Sequence, residues 1–334
     1  MGYPQFQGSI HLDCLIAPGI DEGAFQSYPD SNETEKSTMN DDSSDKLIPD
    51  WLGCPICQRP LRQRGSVLYC QSHNLSFPEV NGILRLLPPD KVREAEAFVV
   101  EYRREREKQG WRPLSAEEMS ALPYKSPSDW DPLYWQVRRQ SFHQLEKWLG
   151  SSGRHNNPQR IADMGAGIGW LVARLAADDH DIVALDLSDD DAFGLGAARR
   201  LKRAMNLNIT LVQGAIDNLP FQCQQIDLLI YNASLHYASD INYCLASGAE
   251  LLRSGGALII MDSPVVDKEP DPDWRWAGGR KLEKRQLITA LERAGLKYNY
   301  VAVGRSIGWR LRQLRTRFSG ELPFELPLII ARLA

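Results

Sequence analysis

Three glycines alternate with other residues in the stretch "IADMGAGIGWLVARLA", which spans residues 161–176. Because glycine lacks a Cβ atom, such a loop lets the backbone approach a bound ligand closely. A dinucleotide-binding fingerprint would require glycine at Trp170, or glycine or alanine at Val172, so the spacing argues against a pyrophosphate loop. The residues of this stretch that we expect to contact a ligand are Asp163, Gly165, Gly167 and Gly169.

A second constellation precedes the glycines, in "CPICQRPLRQRGSVLYCQSH". Its C-x2-C-x12-C-x2-H spacing forms two close pairs that can complete a tetrahedron around zinc, and a closed Cys3His set is typical of a structural site. A unit of about 40 residues has too small a core to be stable alone, so metal binding would supply folding energy. The predicted zinc ligands are Cys54, Cys57, Cys70 and His73.

Apolar runs that alternate with helical segments from about residue 158 onward must position the glycine loop. This alternation indicates an α/β fold with a parallel sheet covered on both faces, in which ligands bind at the carboxyl ends of the strands. The predicted strands are "RIADMG", "DIVALDLS", "ITLVQGAI", "IDLLIYNAS" and "ALIIMDS", followed by "YNYVAV" and "LPLIIARL".

The glycine stretch resembles the first motif of class I S-adenosylmethionine-dependent methyltransferases, and the resemblance covers about 155–265. "VQGAIDNLPF", "IDLLIYNASLHY" and "LLRSGGALIIMDSP" resemble the family's later motifs, in the same order. The resemblance implies a Rossmann-like, seven-stranded domain in which Asp186 accepts hydrogen bonds from the ribose hydroxyls. Because Ala215 replaces the acid usual after the third strand, Asp217 or the backbone of Ile216 is expected to contact the adenine. Asn232, at the end of the fourth strand, is also expected to contact the cofactor.

The acceptor side of the site is less well specified. Methyl transfer from a sulfonium is an in-line displacement, so positioning supplies much of the acceleration and a side-chain base is optional. Asn232 and His236 follow the fourth strand, which faces the reacting methyl in this fold, and are the candidate catalytic residues. The sequence leaves open whether His236 is a general base or only a packing residue.

The order of the cysteine-containing unit and the methyltransferase motifs is similar to that of the bacterial 23S ribosomal RNA guanine-N1 methyltransferase family. In that family a zinc ribbon contributes to RNA recognition, which would imply an RNA nucleobase as the acceptor. One alternative is a small-molecule methyltransferase whose ribbon is purely structural. Another is a non-catalytic cofactor-binding protein, but the intact glycines and Asp186 argue against it.

Charge is unevenly distributed along the 334 residues. Residues 275–317 contain twelve Lys or Arg against two Glu, and they are a candidate RNA-binding surface if they are not simply solvated. Within this segment the apolar residues at 307, 311, 314 and 318 recur at helical spacing, which predicts that they face the core, with Trp309 nearby for stacking.

Composition and hydropathy complete the predicted organisation. An acidic tail with little apolar content is predicted to be disordered, and no apolar run is long enough to span a membrane. No secretory signal is evident, so a cytoplasmic protein without a membrane partner is expected. The predicted regions are the tail over 1–48, a zinc ribbon over 49–90, a helical linker over 91–150 and the methyltransferase domain over 151–334.

Overall fold

The computed structural model describes residues 48–154, 157–176, 179–268, 279–303, 306–318 and 323–334. The predicted disordered tail therefore lies outside the described residues, except for residue 48. Residues 48–334 form one unit. No helix in the described part of the chain is long and apolar enough to cross a membrane.

The strands fall into an amino-terminal group and a carboxyl-terminal group. The first group comprises β1 (Arg62–Arg64), β2 (Val67–Cys70), β3 (Leu75–Val80) and β4 (Ile83–Arg85). The second comprises β5 (Arg160–Met164), β6 (Asp181–Asp186), β7 (Ile209–Gln213), β8 (Ile226–Asn232), β9 (Leu252–Met261), β10 (Val265–Val266), β11 (Leu282–Glu283), β12 (Leu296–Val301) and β13 (Leu328–Leu333).

Eight α-helices connect and cover these strands within the described ranges. They are α1 (Val92–Lys108), α2 (Ala116–Ala121), α3 (Pro132–Ser151), α4 (Trp170–Leu175), α5 (Leu195–Met205), α6 (Ile241–Leu251), α7 (Lys284–Arg293) and α8 (Ile307–Phe318). The sequence explains where α3 begins, because the Asp131 side chain accepts the first free backbone N–H groups and Pro132 occupies the first turn.

The main sheet has eleven strands in the order β1-β2-β3-β4-β7-β6-β5-β8-β9-β13-β12. Strands β5 to β9 are mutually parallel, and the order reverses on either side of β5, where open α/β sheets bind ligands. The predicted "YNYVAV" and "LPLIIARL" strands correspond to β12 and β13, the antiparallel edge of the sheet.

The prediction of a seven-stranded sheet is wrong. Seven strands come from residues 160–333, and four more come from the amino-terminal group because β4 pairs in parallel with β7. The cysteine-containing unit therefore extends the sheet of the methyltransferase domain and does not stand apart from it.

The cysteine-containing unit also shares its core with the rest of the chain. Trp51 is fully buried and stacks on Phe221 with ring centroids 5.2 Å apart, and the Gly53 N–H donates to the carbonyl of Pro220 at 2.9 Å. Phe77 belongs to the same buried cluster as Met164, which lies beside the glycine loop. Loss of order in this unit would thus expose apolar surface of the domain itself.

The orientation predicted for α8 is also wrong. Its apolar stripe faces solvent, with Ile307 78% exposed and Phe318 85% exposed, and the same holds for Leu311 and Leu314. The buried residue is Trp309, which packs among Tyr134 and Phe324. Helical spacing correctly placed the apolar residues on one face of α8, but the face that packs against α3 is the one that carries Trp309.

Candidate active site

The glycine loop connects β5 to α4 at the carboxyl edge of the sheet. Gly165 and Gly169 have φ angles of 77° and 78°, a region that residues with a Cβ rarely adopt. A Cβ at Gly165 would lie 2.5 Å from the Cβ of Ser234, and one at Gly169 would lie 2.9 Å from the Cβ of Ala198. The loop is therefore held between the loop after β8 and helix α5, and any larger residue would displace it.

Asp186 at the end of β6 contacts this loop directly. One carboxylate oxygen accepts the Gly167 N–H at 2.7 Å, and the other accepts the Ser188 N–H at 2.8 Å. Burial raises the pKa of Asp186 to about 6, while these backbone hydrogen bonds lower it. The structure thus brings together the two features that the sequence assigned to the cofactor.

Asp163 lies below the loop with none of its surface exposed. Neither of its carboxylate oxygens has a hydrogen-bond partner among the described residues. Burial, followed by the charge of Asp186, raises the pKa of Asp163 to about 8. A buried carboxylate without partners is costly and suits a cationic ligand group.

The adenine-side candidates follow β7 at the same edge of the sheet. The carboxylate of Asp217 accepts the Ser239 N–H at 3.2 Å, which links the loop after β7 to the segment after β8. The Ile216 carbonyl accepts a weak hydrogen bond from the Cys244 thiol at 3.6 Å. Both candidates are half-buried and therefore remain accessible to a ligand at this edge.

The acceptor-side candidates are more deeply buried. Asn232 ends β8 and is 7% exposed, and its side-chain oxygen has no hydrogen-bond partner within the described ranges. His236 is 1% exposed, and its Nδ1 lies 3.4 Å from the Ser263 hydroxyl. Burial, then the positive charges of Arg106 and Arg138, lower the pKa of His236 to about 3. The imidazole is consequently neutral at physiological pH and a weak base.

Two site residues were missed in the sequence because they lie in the predicted linker. Arg106 on α1 and Arg138 on α3 are 6% and 7% exposed, and both act electrostatically on His236. A signal existed for Arg138, which falls within the apolar stripe of α3 between Trp135 and Phe142. No such signal distinguishes Arg106 from its charged neighbours along α1.

The four predicted zinc ligands converge in the structure. Their ligand atoms lie within 4.8 Å of one another, with Cys57 Sγ 3.8 Å from Cys70 Sγ. His73 Nδ1 is 3.6 Å from Cys70 Sγ and 3.9 Å from Cys54 Sγ. A tetrahedron with zinc–sulfur bonds of about 2.3 Å and zinc–nitrogen bonds of about 2.0 Å has edges of about 3.5–3.8 Å. The three measured distances match these edges, and the widest ligand pair, at up to 4.8 Å, would have to close by about 1 Å around a zinc ion.

Comparison with known proteins identifies the chemistry. Residues 162–260 match a family described as a methyltransferase domain. This span contains the glycine loop, Asp186, Asn232 and His236. The chain carries an S-adenosylmethionine-dependent methyltransferase domain. The expectation of such an enzyme is confirmed, and the residue assignments within the site stay predictions.

Individual relatives are distant. A ubiquinone/menaquinone biosynthesis C-methyltransferase UbiE from Rhizobium etli (strain CIAT 652) is 24% identical over 179 residues, 49% of this chain and 69% of the relative. The UbiE protein of Proteus mirabilis (strain HI4320) is 28% identical over 36% of this chain and 49% of its own length. The chain thus spans only about half of that second relative.

Among solved structures, the Burkholderia thailandensis 1,6-didemethyltoxoflavin-N1-methyltransferase covers 82% of this chain and 99% of its own. Its sequence identity is 18% and its TM-score is 0.45. The similarity to the 23S ribosomal RNA methyltransferase family stays a prediction.

Binding of S-adenosylmethionine near pH 7 should release protons, mainly from Asp163. Because the pKa of free Asp163 is raised to about 8, most of this carboxyl group is protonated at pH 7. The cationic amino group of the ligand favours the ionised form, so its affinity should increase as the pH is raised from about 6 to about 7.5. Calorimetry in buffers of different ionisation enthalpy measures the released protons.

The matched variants for this experiment are Asp163→Asn and the exposed Asp179→Asn. The first should abolish most of the proton release, and the second should leave it unchanged. Identical proton release in wild type and Asp163→Asn would exclude this residue as the amino-group partner.

Proposed function

We propose that this protein transfers the methyl group of S-adenosylmethionine to a carbon atom of a small-molecule acceptor. The observation that carries the proposal is the enclosure of the acceptor side. Asn232, His236 and Asp262 at the ends of β8 and β9 are at most 7% exposed. A nucleobase within a polynucleotide would have to be extruded from its strand to reach such a site, whereas a small molecule can be surrounded by it.

Aromatic residues of α1 form part of this enclosure. The rings of Phe98 and Tyr102 each lie edge-on to the ring of Tyr237, at centroid distances of 5.9 and 6.1 Å. Tyr237 immediately follows His236, and their rings are 4.2 Å apart. Helix α1, which the sequence assigned to a linker, is thereby part of the wall around the acceptor.

Transfer to carbon is favoured by the names of the UbiE relatives, which are C-methyltransferases. In such a transfer an electron pair on the acceptor carbon attacks the methyl carbon, the carbon–sulfur bond breaks, and its electron pair stays on sulfur. The proton that the methyl group replaces is lost from the acceptor to solvent, before or after the transfer. Enclosure of the site excludes water, which would otherwise solvate the reacting groups. His236 is neutral at physiological pH and adds no positive charge beside the sulfonium in this step.

One arginine of α8 supports an RNA acceptor less well than the sequence implied. Arg312 forms an ion pair with Asp131 at the start of α3, and its guanidinium also lies over the ring of Trp309. The ion pair with Asp131 links α8 to the start of α3, so the Arg312 guanidinium already has a carboxylate partner.

Transfer of a 13C-labelled methyl group into an extract of the source cells tests the proposal. The extract is separated into small-molecule, RNA and protein fractions, and the chemical shift of the transferred methyl distinguishes carbon, nitrogen and oxygen attachment. We expect a carbon-bound methyl in the small-molecule fraction with wild type and Asp179→Asn, and none with Asp186→Asn. Label found only in nuclease-sensitive material would overturn the proposal.

We further propose that Cys54, Cys57, Cys70 and His73 hold one structural zinc ion. Support comes from the convergence of their ligand atoms within 4.8 Å and from the backbone N–H of Ile56, which donates to Cys54 Sγ at 3.5 Å. All four protein positions would be filled, so no coordination site would remain for a substrate. Elemental analysis of protein purified without chelators should find one zinc per chain.

A further inference from the structure

Helix α8 presents an apolar stripe that no described part of the protein covers. The stripe consists of Ile307, Leu311, Leu314 and Phe318, each of which is 48% or more exposed. At about 100° of rotation per residue, these four positions fall within an arc of about 60° on the helix surface. No other described helix carries more than one large apolar side chain in this exposed class. A concentration of this kind on one helix face is typical of a binding surface.

The opposite face of α8 holds the helix on the protein. Trp309 lies about halfway around the helix from the stripe. Its ring is 4% exposed and packs against Tyr134 of α3 and Phe324, with centroid distances of 6.5 and 5.8 Å. The side-chain oxygen of Gln313 also accepts the Phe324 N–H at 2.8 Å. These contacts fix the rotation of α8 about its axis and leave the stripe directed outward.

Positive charge borders the stripe on both sides. Arg310 lies along one border and Arg315 along the other, each about 70° from the centre of the stripe. Both arginines are exposed, and residues 304–320 contain no Asp or Glu. An arginine in this position can lay its aliphatic stem along an apolar surface while its guanidinium stays in the polar layer. The face therefore combines an apolar centre with a cationic rim.

This combination fits an anionic lipid surface better than it fits other partners. A bilayer meets a single helix face, takes up apolar side chains at the boundary of its acyl chains, and places anionic headgroups beside the rim. RNA would pair with the arginines but leave an aliphatic stripe in water. A second copy docked stripe to stripe would bring the arginines of both copies together, and like charges repel.

We propose that α8 binds the protein peripherally to the surface of a bilayer that contains anionic lipids. The stripe would enter the boundary between headgroups and acyl chains, and Arg310 and Arg315 would bind headgroup phosphates. The expectation of no membrane partner depended on the lack of a spanning segment, which a helix lying in the plane of the surface does not need. This inference concerns where the enzyme binds and goes beyond the proposed function, which concerns its acceptor.

The position of α8 links such binding to the active site. Tyr134, which packs against Trp309, also lies 5.1 Å from the guanidinium carbon of Arg138. Arg138 in turn lowers the pKa of His236. A surface-bound α8 would therefore keep the acceptor side of the site close to the bilayer.

Flotation of the full chain with lipid vesicles tests the inference. One set of vesicles contains equal parts of phosphatidylglycerol and phosphatidylcholine, and the other contains only phosphatidylcholine. We expect wild type to float with the anionic set and to bind the neutral set at least about tenfold more weakly. Binding to the anionic set should decrease as the salt concentration rises, because salt screens exposed charges.

Replacement of two stripe residues tests the apolar contribution. The double variant Leu314→Ser and Phe318→Ser should bind anionic vesicles at least about tenfold more weakly than wild type. The matched control replaces Val100 and Tyr243, exposed apolar residues of α1 and α6, by serine and should bind like wild type. Thermal unfolding and affinity for S-adenosylhomocysteine, measured on both variants, show whether the fold is retained.

Replacement of the rim arginines tests the electrostatic contribution. The double variant Arg310→Gln and Arg315→Gln should bind the anionic set about 30-fold more weakly and the neutral set as wild type does. The matched control carries Arg104→Gln and Arg139→Gln, which remove exposed arginines from α1 and α3. It should lose much less affinity, because these charges lie away from the stripe.

A reporter on the stripe gives a signal that a nonspecific electrostatic contact would not produce. Lipids brominated on their acyl chains quench tryptophan that enters the acyl boundary. Phe318→Trp should gain quenchable fluorescence relative to wild type when anionic vesicles are added, whereas Val100→Trp should not.

Three outcomes would overturn the inference. The first is that wild type does not float with anionic vesicles, or floats no better than the stripe variant. The second is a wild-type dimer that the stripe variant loses, without flotation, which would make a second copy the occupant. The third is binding of an RNA oligonucleotide that the arginine variant loses and the stripe variant keeps, again without flotation. Flotation is measured without methyl transfer, so failure of the proposed function leaves these results unchanged.

Discussion

Asp186→Asn is expected to weaken the binding of S-adenosylmethionine by about 30-fold or more. The resemblance to the methyltransferase family predicts that the carboxylate accepts hydrogen bonds from both ribose hydroxyls, and each charge-assisted bond contributes about 1.5–3 kcal/mol. Asparagine keeps one neutral acceptor, so the net loss is at least about 2 kcal/mol, and 1.4 kcal/mol corresponds to a factor of ten. Titration calorimetry with wild type, Asp186→Asn and Asp179→Asn measures the change.

A second ligand distinguishes ribose binding from support of the loop, since Asp186 also accepts the Gly167 N–H. An analogue without ribose hydroxyls should bind wild type and Asp186→Asn with similar affinities if the carboxylate acts through the ribose. A loss equal to that seen with S-adenosylmethionine would show that Asp186 acts by holding the loop. Unchanged affinity for both ligands would exclude Asp186 from the cofactor site.

The arrangement of the glycine loop and Asp186 was predictable because its determinants are local. Gly165, Gly167 and Gly169 follow β5 without interruption, and Asp186 ends the next strand. Parallel strands bring such residues to one edge whatever surrounds them. The hydrogen bond between Gly167 and Asp186 is a direct consequence of this arrangement.

The acceptor side depends on packing between distant segments. Arg106 and Arg138 reach His236 only because α1 and α3 fold over the carboxyl edge of the sheet, and charged helices of this composition occur equally as solvated linkers. The strand count failed for a similar reason, since pairing of β4 with β7 joins residues more than 120 positions apart. For α8, periodicity defined an apolar face but contained no information about which side meets the protein.

Shared packing also changes what is expected on loss of the zinc ion. A ribbon with a core of its own would unfold without affecting the cofactor site. Here the strand pairing between β4 and β7 and the stacking of Trp51 on Phe221 join it to the catalytic sheet. Loss of order around the cysteines would therefore remove a neighbour from β7, whose following loop contains Ile216 and Asp217.

Cys57→Ser is accordingly expected to destabilise the whole unit of residues 48–334 and to reduce its affinity for S-adenosylmethionine. Structural zinc binding contributes about 10–16 kcal/mol in isolated zinc fingers, whereas whole domains are stable by only about 5–15 kcal/mol. Loss of one thiolate ligand should thus lower the free energy of unfolding by at least about 3 kcal/mol. Thermal unfolding and calorimetry, each with and without a zinc chelator, measure both effects.

Cys223→Ser is the matched control, because this half-buried thiol lies outside the ligand set and contacts Gln58 Oε1 at 3.5 Å. It should retain zinc, unfolding temperature and cofactor affinity. A chelator should destabilise wild type and Cys223→Ser but have little further effect on Cys57→Ser, since that variant no longer binds the metal tightly. The contrary outcome is that Cys57→Ser loses zinc but unfolds at the wild-type temperature and binds S-adenosylmethionine with wild-type affinity. The stability of the ribbon would then be independent of the rest of the sheet, and the metal would serve a role other than stability.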